Sequence, residues 1–144
     1  MKKALIMILT VILVVSCTGC IQFPAEDRPD TLYVDVALHC TSDLYGLAYE
    51  CWQGEELVES GEAYPADRGD RLESGETVNL VQLHQSRFAS GQKLYLDVYA
   101  VEEDGSYTLM GDQIPLTVKF GSRCTLWLEE DPEFGCYVTV GQSA

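Results

Sequence analysis

TLYVDVALHC, residues 31–40, alternates without a break. Leu32, Val34, Val36, Leu38 and Cys40 share one phase, and Tyr33, Asp35, Ala37 and His39 share the other. Side chains of a strand point to opposite faces in turn, so this period predicts a strand with its first set turned inward. The same period returns in QIPLTVKF (113–120), where Ile114, Leu116, Val118 and Phe120 form the apolar phase. Pro115 brings no amide donor, which places that strand at a sheet edge or gives it an irregular start.

Between these two lie further short segments rich in β-formers. LYGLAYECWQ (44–53) and ELVESGEAY (56–64) flank Gly54 as a strand pair. KLYLDVYAV (93–101) and SYTLM (106–110) flank Asp104-Gly105, a type I′ hairpin signal. TVNLVQL (77–83) is a strand with two competing inward sets, Val78 and Leu80 against Val81 and Leu83. RCTLWLE (123–129) and FGCYVTV (134–140) flank Glu130-Asp131-Pro132. Pairing them about Glu130 sets Leu126 opposite Phe134 and Cys124 opposite Cys136. No 3.6-residue period occurs after residue 30. The expected fold is all-β, a single antiparallel β-sandwich of about seven to nine strands over residues 31–141. In architecture it resembles immunoglobulin and fibronectin type III domains, and nothing in the body carries a family motif.

The N-terminus reads differently. Met1-Lys2-Lys3 is a short positive segment, and Ala4 to Val15 is apolar except for Thr10. As a helix those residues span about 18 Å, short of a bilayer core of about 30 Å. That is the length of a signal-peptide core. Val14-Val15-Ser16-Cys17 then resembles a bacterial lipobox, with Thr18-Gly19-Cys20 a weaker second match. The resemblance implies cleavage after residue 16 and a diacylglycerol on Cys17, with Cys20 as the alternative. Two acyl chains hold a protein stably to a membrane. The expected organisation is therefore a signal peptide (1–16), a lipidated Cys with a flexible tether (17–30), and the sandwich. The expected location is the extracytoplasmic face of the cell membrane.

The chain carries 23 acidic and 9 basic residues, a formal charge of −14. Such a surface repels phosphate backbones and argues against nucleic acid as a partner. Export would let disulfides persist. The cross-strand register suggests Cys124–Cys136, and elimination leaves Cys40–Cys51, against four buried thiols. No cofactor is required. Glu102, Glu103, Asp104, Glu129, Glu130 and Asp131 fall in or beside expected turns and would suit Ca²⁺ if any ion binds, against the plainer reading of solvated turn charges.

Catalytic signals are few. No G-x-S-x-G elbow occurs, and neither His39 nor His84 has a nucleophile suggested beside it. The expectation is a non-catalytic module of the cell envelope, with a protein or an envelope glycan as partner. The alternative is a carbohydrate- or small-ligand-binding sandwich, and a hydrolase ranks below both. Trp127 and Tyr137 are out of phase with their strands' apolar sets and are the candidate ligand-binding aromatics. The register about Glu130 leaves them roughly 13 Å apart along the ladder. Arg68-Gly69-Asp70 resembles the integrin-recognition tripeptide, but three residues arise often by chance, and a tight turn at Gly69 is the plainer reading.

Overall fold

A computed structural model describes residues 27–67 and 70–140. The expected signal peptide, the lipobox-like stretch with Cys17 and Cys20, and Arg68-Gly69 of the tripeptide lie outside the described residues.

β1 (Thr31–Leu38) forms where the alternation starts, and Leu32, Val34, Val36 and Leu38 are each at most 2% exposed. It pairs with β4 (Thr77–His84) on one side and with β7 (Ser122–Asp131) on the other; β8 (Gly135–Val140) extends the sheet to the order β4-β1-β7-β8. The facing sheet has the order β3-β2-β5-β6, built from β2 (Gly46–Gln53), β3 (Glu56–Ala63), β5 (Lys93–Val101) and β6 (Tyr107–Thr117). No helix occurs among the described residues. The inner faces meet in one core of Leu, Val and Ile side chains, including Leu47, Leu83, Leu94, Leu96, Val98, Leu126 and Leu128. The protein is a β-sandwich. The order β3-β2-β5-β6 is that of the C′-C-F-G sheet of immunoglobulin domains, and β1 with β4 pair as B and E do.

Five features depart from the sequence expectation, each for a local reason. First, β1 and β7 run parallel, while the other pairs are antiparallel. The chain reaches β7 by crossing from the other sheet, so no hairpin dictates its direction. Second, the two expected strands at 106–110 and 113–120 join into the single edge strand β6. Its register slips twice against β5, and Gln113 adopts φ 50°. Pro115 lies on this edge, as its missing donor requires. Third, the β5–β6 turn is not type I′, because Gly105 (φ 82°) has a positive φ and Asp104 does not. Asp104 instead accepts the Ser106 amide at 2.9 Å through Oδ1.

The fourth departure resolves the ambiguous strand. The register between β1 and β4 shifts at Val34/Asp35, which leaves Leu80 unpaired as a bulge. Val78 faces Val36 and Val81 faces Val34. Both apolar phases are therefore real, one on each side of the bulge.

The fifth concerns the last hairpin. Asp131 pairs with Gly135, Glu130 with Cys136 and Leu126 with Val140. The turn is Pro132-Glu133-Phe134, three residues beyond the expected centre. Asp131 Oδ1 accepts the amides of Glu133 at 2.8 Å and Phe134 at 3.0 Å, and Gly135 takes φ 84°. Asp before Pro, with Gly at the left-handed position, is the chemistry of a three-residue hairpin loop. Phe134 consequently does not face Leu126; it sits at the turn tip, 83% exposed.

The described end of the expected tether is fastened to the sandwich. Arg123 pairs with Asp27, the Arg28 amide donates to the Tyr33 hydroxyl at 3.3 Å, and Pro29 packs on Gly121. This strap covers the outer face of β1, which explains why Tyr33 and Asp35 are buried there despite lying in the polar phase. Asp35 pairs with Arg123 and accepts from Asn79 Nδ2 at 2.8 Å. The Arg123 guanidinium lies 4.7 Å over the Tyr33 ring.

Candidate functional site

Beyond the strap, the outer face of β4-β1-β7-β8 is open. Trp127 on β7 stands opposite Ala37 and Thr139, while Tyr137 on β8 stands opposite Glu129. The three-residue shift of the hairpin thus brings Trp127 and Tyr137 to diagonal positions, about 7–8 Å apart rather than the expected separation. Trp127 is 39% exposed and Tyr137 43%. His39 extends the patch: its ring centroid lies 5.4 Å from that of Trp127, tilted by 57°, and its Nδ1 lies 3.0 Å from Glu129 Oε1. An indole and a phenol on one sheet face, bordered by an imidazole and a carboxylate, form a surface that can stack on a flat apolar face and hydrogen-bond its rim.

The acidic turns are engaged locally. Glu130 accepts the Thr41 amide at 3.0 Å and the Thr41 hydroxyl at 2.7 Å, and also the Ser42 hydroxyl. Those bonds, Ser42 first, hold its carboxyl at about 2. Asp131 caps its own turn, Asp104 caps Ser106, and Glu102 accepts from the Thr108 hydroxyl at 2.9 Å. The Ser106 hydroxyl and amide hold Asp104 below the usual carboxylate range. Among the described residues no group of three or more His, Cys, Asp or Glu side chains converges to hold a metal ion. Glu102, Glu103 and Asp104 lie at the β5–β6 turn, and Glu129, Glu130 and Asp131 at the end of β7.

His84 has neighbours that the sequence did not suggest. Its Nδ1 lies 2.8 Å from Ser86 Oγ and its Nε2 lies 2.9 Å from Asp30 Oδ2. That is the connectivity of a Ser-His-Asp triad, with the ring nitrogens exchanged. The surrounding backbone is wrong for acyl transfer. The amides of Gln85, Ser86, Arg87 and Phe88 donate to Asp30 O, His84 Nδ1, His84 O and His84 O in turn. None of these is left to stabilise an oxyanion. The trio ties the end of β4 to the strap, and its bond to His84 lowers the pKa of Asp30.

Among the described residues Cys40, Cys51, Cys124 and Cys136 are free thiols, and the expected pairings Cys124–Cys136 and Cys40–Cys51 do not form. Cys136 faces Glu130, while Cys124, six residues back along β7, faces Val34 of β1. Cys51 sits in the opposite sheet, between Leu96 and Glu59. The contact the fold does make joins the thiols of Cys40 and Cys136. Burial, then the Cys136 thiol, pushes Cys40 up to about 12, and burial pushes Cys51 up to about 11.

Sequence reasoning missed a second aromatic face. On the outer side of β3-β2-β5-β6, Tyr99 pairs with Ala48 and Leu109, and Tyr107 with Val101. Tyr107 is 54% exposed and Tyr95 45%. The signal was present in β5, where Tyr95, Asp97 and Tyr99 alternate with Leu94, Leu96 and Val98.

No protein-family model matches the chain, and no curated protein matches it. Among solved structures it is similar to an NMR structure of a protein from Eubacterium rectale, with a TM-score of 0.50 and 15% identity over 83% of this chain and 97% of that one. At that identity the likeness concerns the fold alone, and there it agrees with the sandwich described above.

Proposed function

We propose that this protein is a lipid-anchored, extracytoplasmic binding module of the cell envelope, without catalytic activity. The observation that carries the reading is the register of β7 and β8, which gathers Trp127 and Tyr137, with His39 against the indole, on one exposed sheet face. The lipobox resemblance at residues 14–17 supports anchoring through Cys17, with Cys20 as the alternative. The strap at residues 27–30 supports a short leash between anchor and domain, since it fastens the chain to the same sheet. The partner is an envelope protein or glycan that lays a flat face on the indole.

The test is chemical crosslinking on intact native cells, comparing the natural chain with Trp127→Ala. One dominant protein, lost in the variant, supports a protein partner. A glycan-array signal lost in the same variant supports the carbohydrate reading. Capture that ignores the substitution refutes this face as the binding surface. Intact mass of the native protein tests the anchor separately: an unlipidated chain starting just after the apolar run rejects it.

A further inference from the structure

The outer face of the other sheet holds a cleft of about 550 Å³. Its floor is made of small residues, Ala48 on β2 with Ser60 and Gly61 on β3. At Gly61 a Cβ would lie 2.8 Å from Cε1 of Tyr49, so the glycine leaves room for the buried ring of its cross-strand partner. The walls are tyrosines. The rings of Tyr99 and Tyr107 stand 6.3 Å apart at 73°, two sides of a box rather than one flat platform. Carboxylates hold the rim. The Tyr99 hydroxyl donates to Glu50 at 3.0 Å, the Tyr64 hydroxyl to Glu62 at 2.7 Å, and the Tyr107 hydroxyl also to Glu62. No Lys or Arg among the described residues pairs with Glu50.

We propose that this cleft binds an organic cation, an ammonium or guanidinium group, through the faces of Tyr99 and Tyr107 and the carboxylates of Glu50 and Glu62. Perpendicular aromatic rings present their electron-rich faces from two directions, the arrangement that surrounds a cation. They cannot both stack on one sugar ring. Ionised carboxylates only accept hydrogen bonds, so the ligand must bring the donors. The phenols that donate to them fix their orientation before the ligand arrives. A chain of formal charge −14 also concentrates cations at its surface. The cleft suits a free amine of choline size or a single Lys or Arg side chain of a partner.

The experiment titrates the full chain, in mild detergent, with choline and with arginine amide, and follows the tyrosine ring resonances together with the heat of binding. Saturable shifts at Tyr99 and Tyr107 are expected, weakened about tenfold by Tyr107→Ala and by Glu50→Gln, and weakened by added salt. Tyr107 is more than half exposed, so its removal leaves the fold intact, and the melting temperature checks this. A short basic peptide that binds at least as tightly as the isolated cation identifies a protein side chain as the source. Weaker binding of the peptide identifies a free amine. Absence of saturable shifts with both cations, binding unchanged in both variants, or a neutral oligosaccharide occupying the cleft in their place would overturn the proposal. Trp127→Ala is silent here, because Trp127 lies on the other sheet.

A second, independent observation is the approach of Cys40 to Cys136: Thr41, next to Cys40, donates to Glu130 at 3.0 Å, Glu130 faces Cys136 across the hairpin, and both cysteines pack on the same core. We infer that these two form the disulfide of the exported chain, in place of Cys124–Cys136. Cys136 is half-buried and Cys40 2% exposed, so Cys136 reacts first. Its thiolate attacks a sulfur of a small-molecule disulfide such as oxidised glutathione and releases one thiolate. Cys40 then yields its proton to solvent, attacks the Cys136 sulfur of the mixed disulfide and expels the second thiolate. One disulfide is consumed for each one formed. Non-reducing peptide mapping of the full chain after this treatment is expected to show Cys40 joined to Cys136 and two hydrogens lost. A Cys124–Cys136 link, glutathione retained on Cys136, or two persistently free thiols would each refute it.

Discussion

Replacing Asp35 by Ala tests whether the outer face of β1 is sealed as described. The Asp35 side chain is 6% exposed, pairs with Arg123, and accepts from Asn79 at 2.8 Å. Removing one partner of a buried ion pair costs about 3–5 kcal/mol when the other charge stays buried and alone. Here Arg123 keeps Asp27 and its own side chain is 33% exposed, so the residual penalty falls to the low end. Two hydrogen bonds to a charged acceptor, at about 1.5 kcal/mol each, give the same figure of about 3 kcal/mol. For a domain of this size that lowers Tm by roughly 12 °C, at about 4 °C per kcal/mol. Asp35→Asn keeps the shape and an acceptor for Asn79 but loses the charge, and costs about half as much. Urea unfolding of the two variants, closed as a double-mutant cycle with Arg123→Ala, supplies the assay. A loss below about 1 kcal/mol for Asp35→Ala, or a coupling to Arg123 near zero, would refute the buried pair and with it the docking of the strap.

The other expectations separate local features. Leu126→Ala costs about 3 kcal/mol because Leu126 is 1% exposed, whereas Phe134→Ser changes stability by less than about 0.5 kcal/mol; equal losses in denaturant melts would restore the register that pairs them. Gly135→Ala loses about 1–2 kcal/mol at its φ of 84°, checked by thermal melting. Gln113→Gly gains about 0.5 kcal/mol, since it relieves a φ of 50° and keeps the 2.7 Å amide bond to Asp97; a lower Tm would contradict the strained edge. Glu130 has a pKa of about 2 in the fold against 4.5 ordinarily, so its contribution is complete above about 4.5 and disappears as pH falls toward 2. Glu130→Gln should flatten the slope of Tm against pH in that window, and an unchanged slope would dissociate Glu130 from Thr41 and Ser42.

What the sequence disclosed, it disclosed through period. The alternation at 31–40 gave β1 its inward set because a period of two has one solution when one face is covered. It was silent about the strap, which covers the other face of the same strand, because that burial comes from an ion pair and a phenol rather than from apolar residues. The bulge at Leu80 shows the converse. A slipped register makes both phases apolar, and two competing sets inside one short strand are themselves the signature of a bulge. Turn chemistry, rather than symmetry about Glu130, marks the register of the hairpin of β7 and β8. Asp131, Pro132 and Gly135 occupy the capping, φ-fixed and left-handed positions of one loop. The position of that turn has consequences along both strands. Three residues along β7 and β8 decide whether Cys136 meets Cys124 or comes to Cys40. They also decide whether Trp127 and Tyr137 are strangers or diagonal neighbours. The aromatic cleft on the other sheet needed no such precision. Its tyrosines stood in the outward phase of β5 and at the start of β6, where an exposed phenol has no part in the core. What no period reveals is that Ala48 and Gly61 come together beneath them, since that depends on which strands lie side by side.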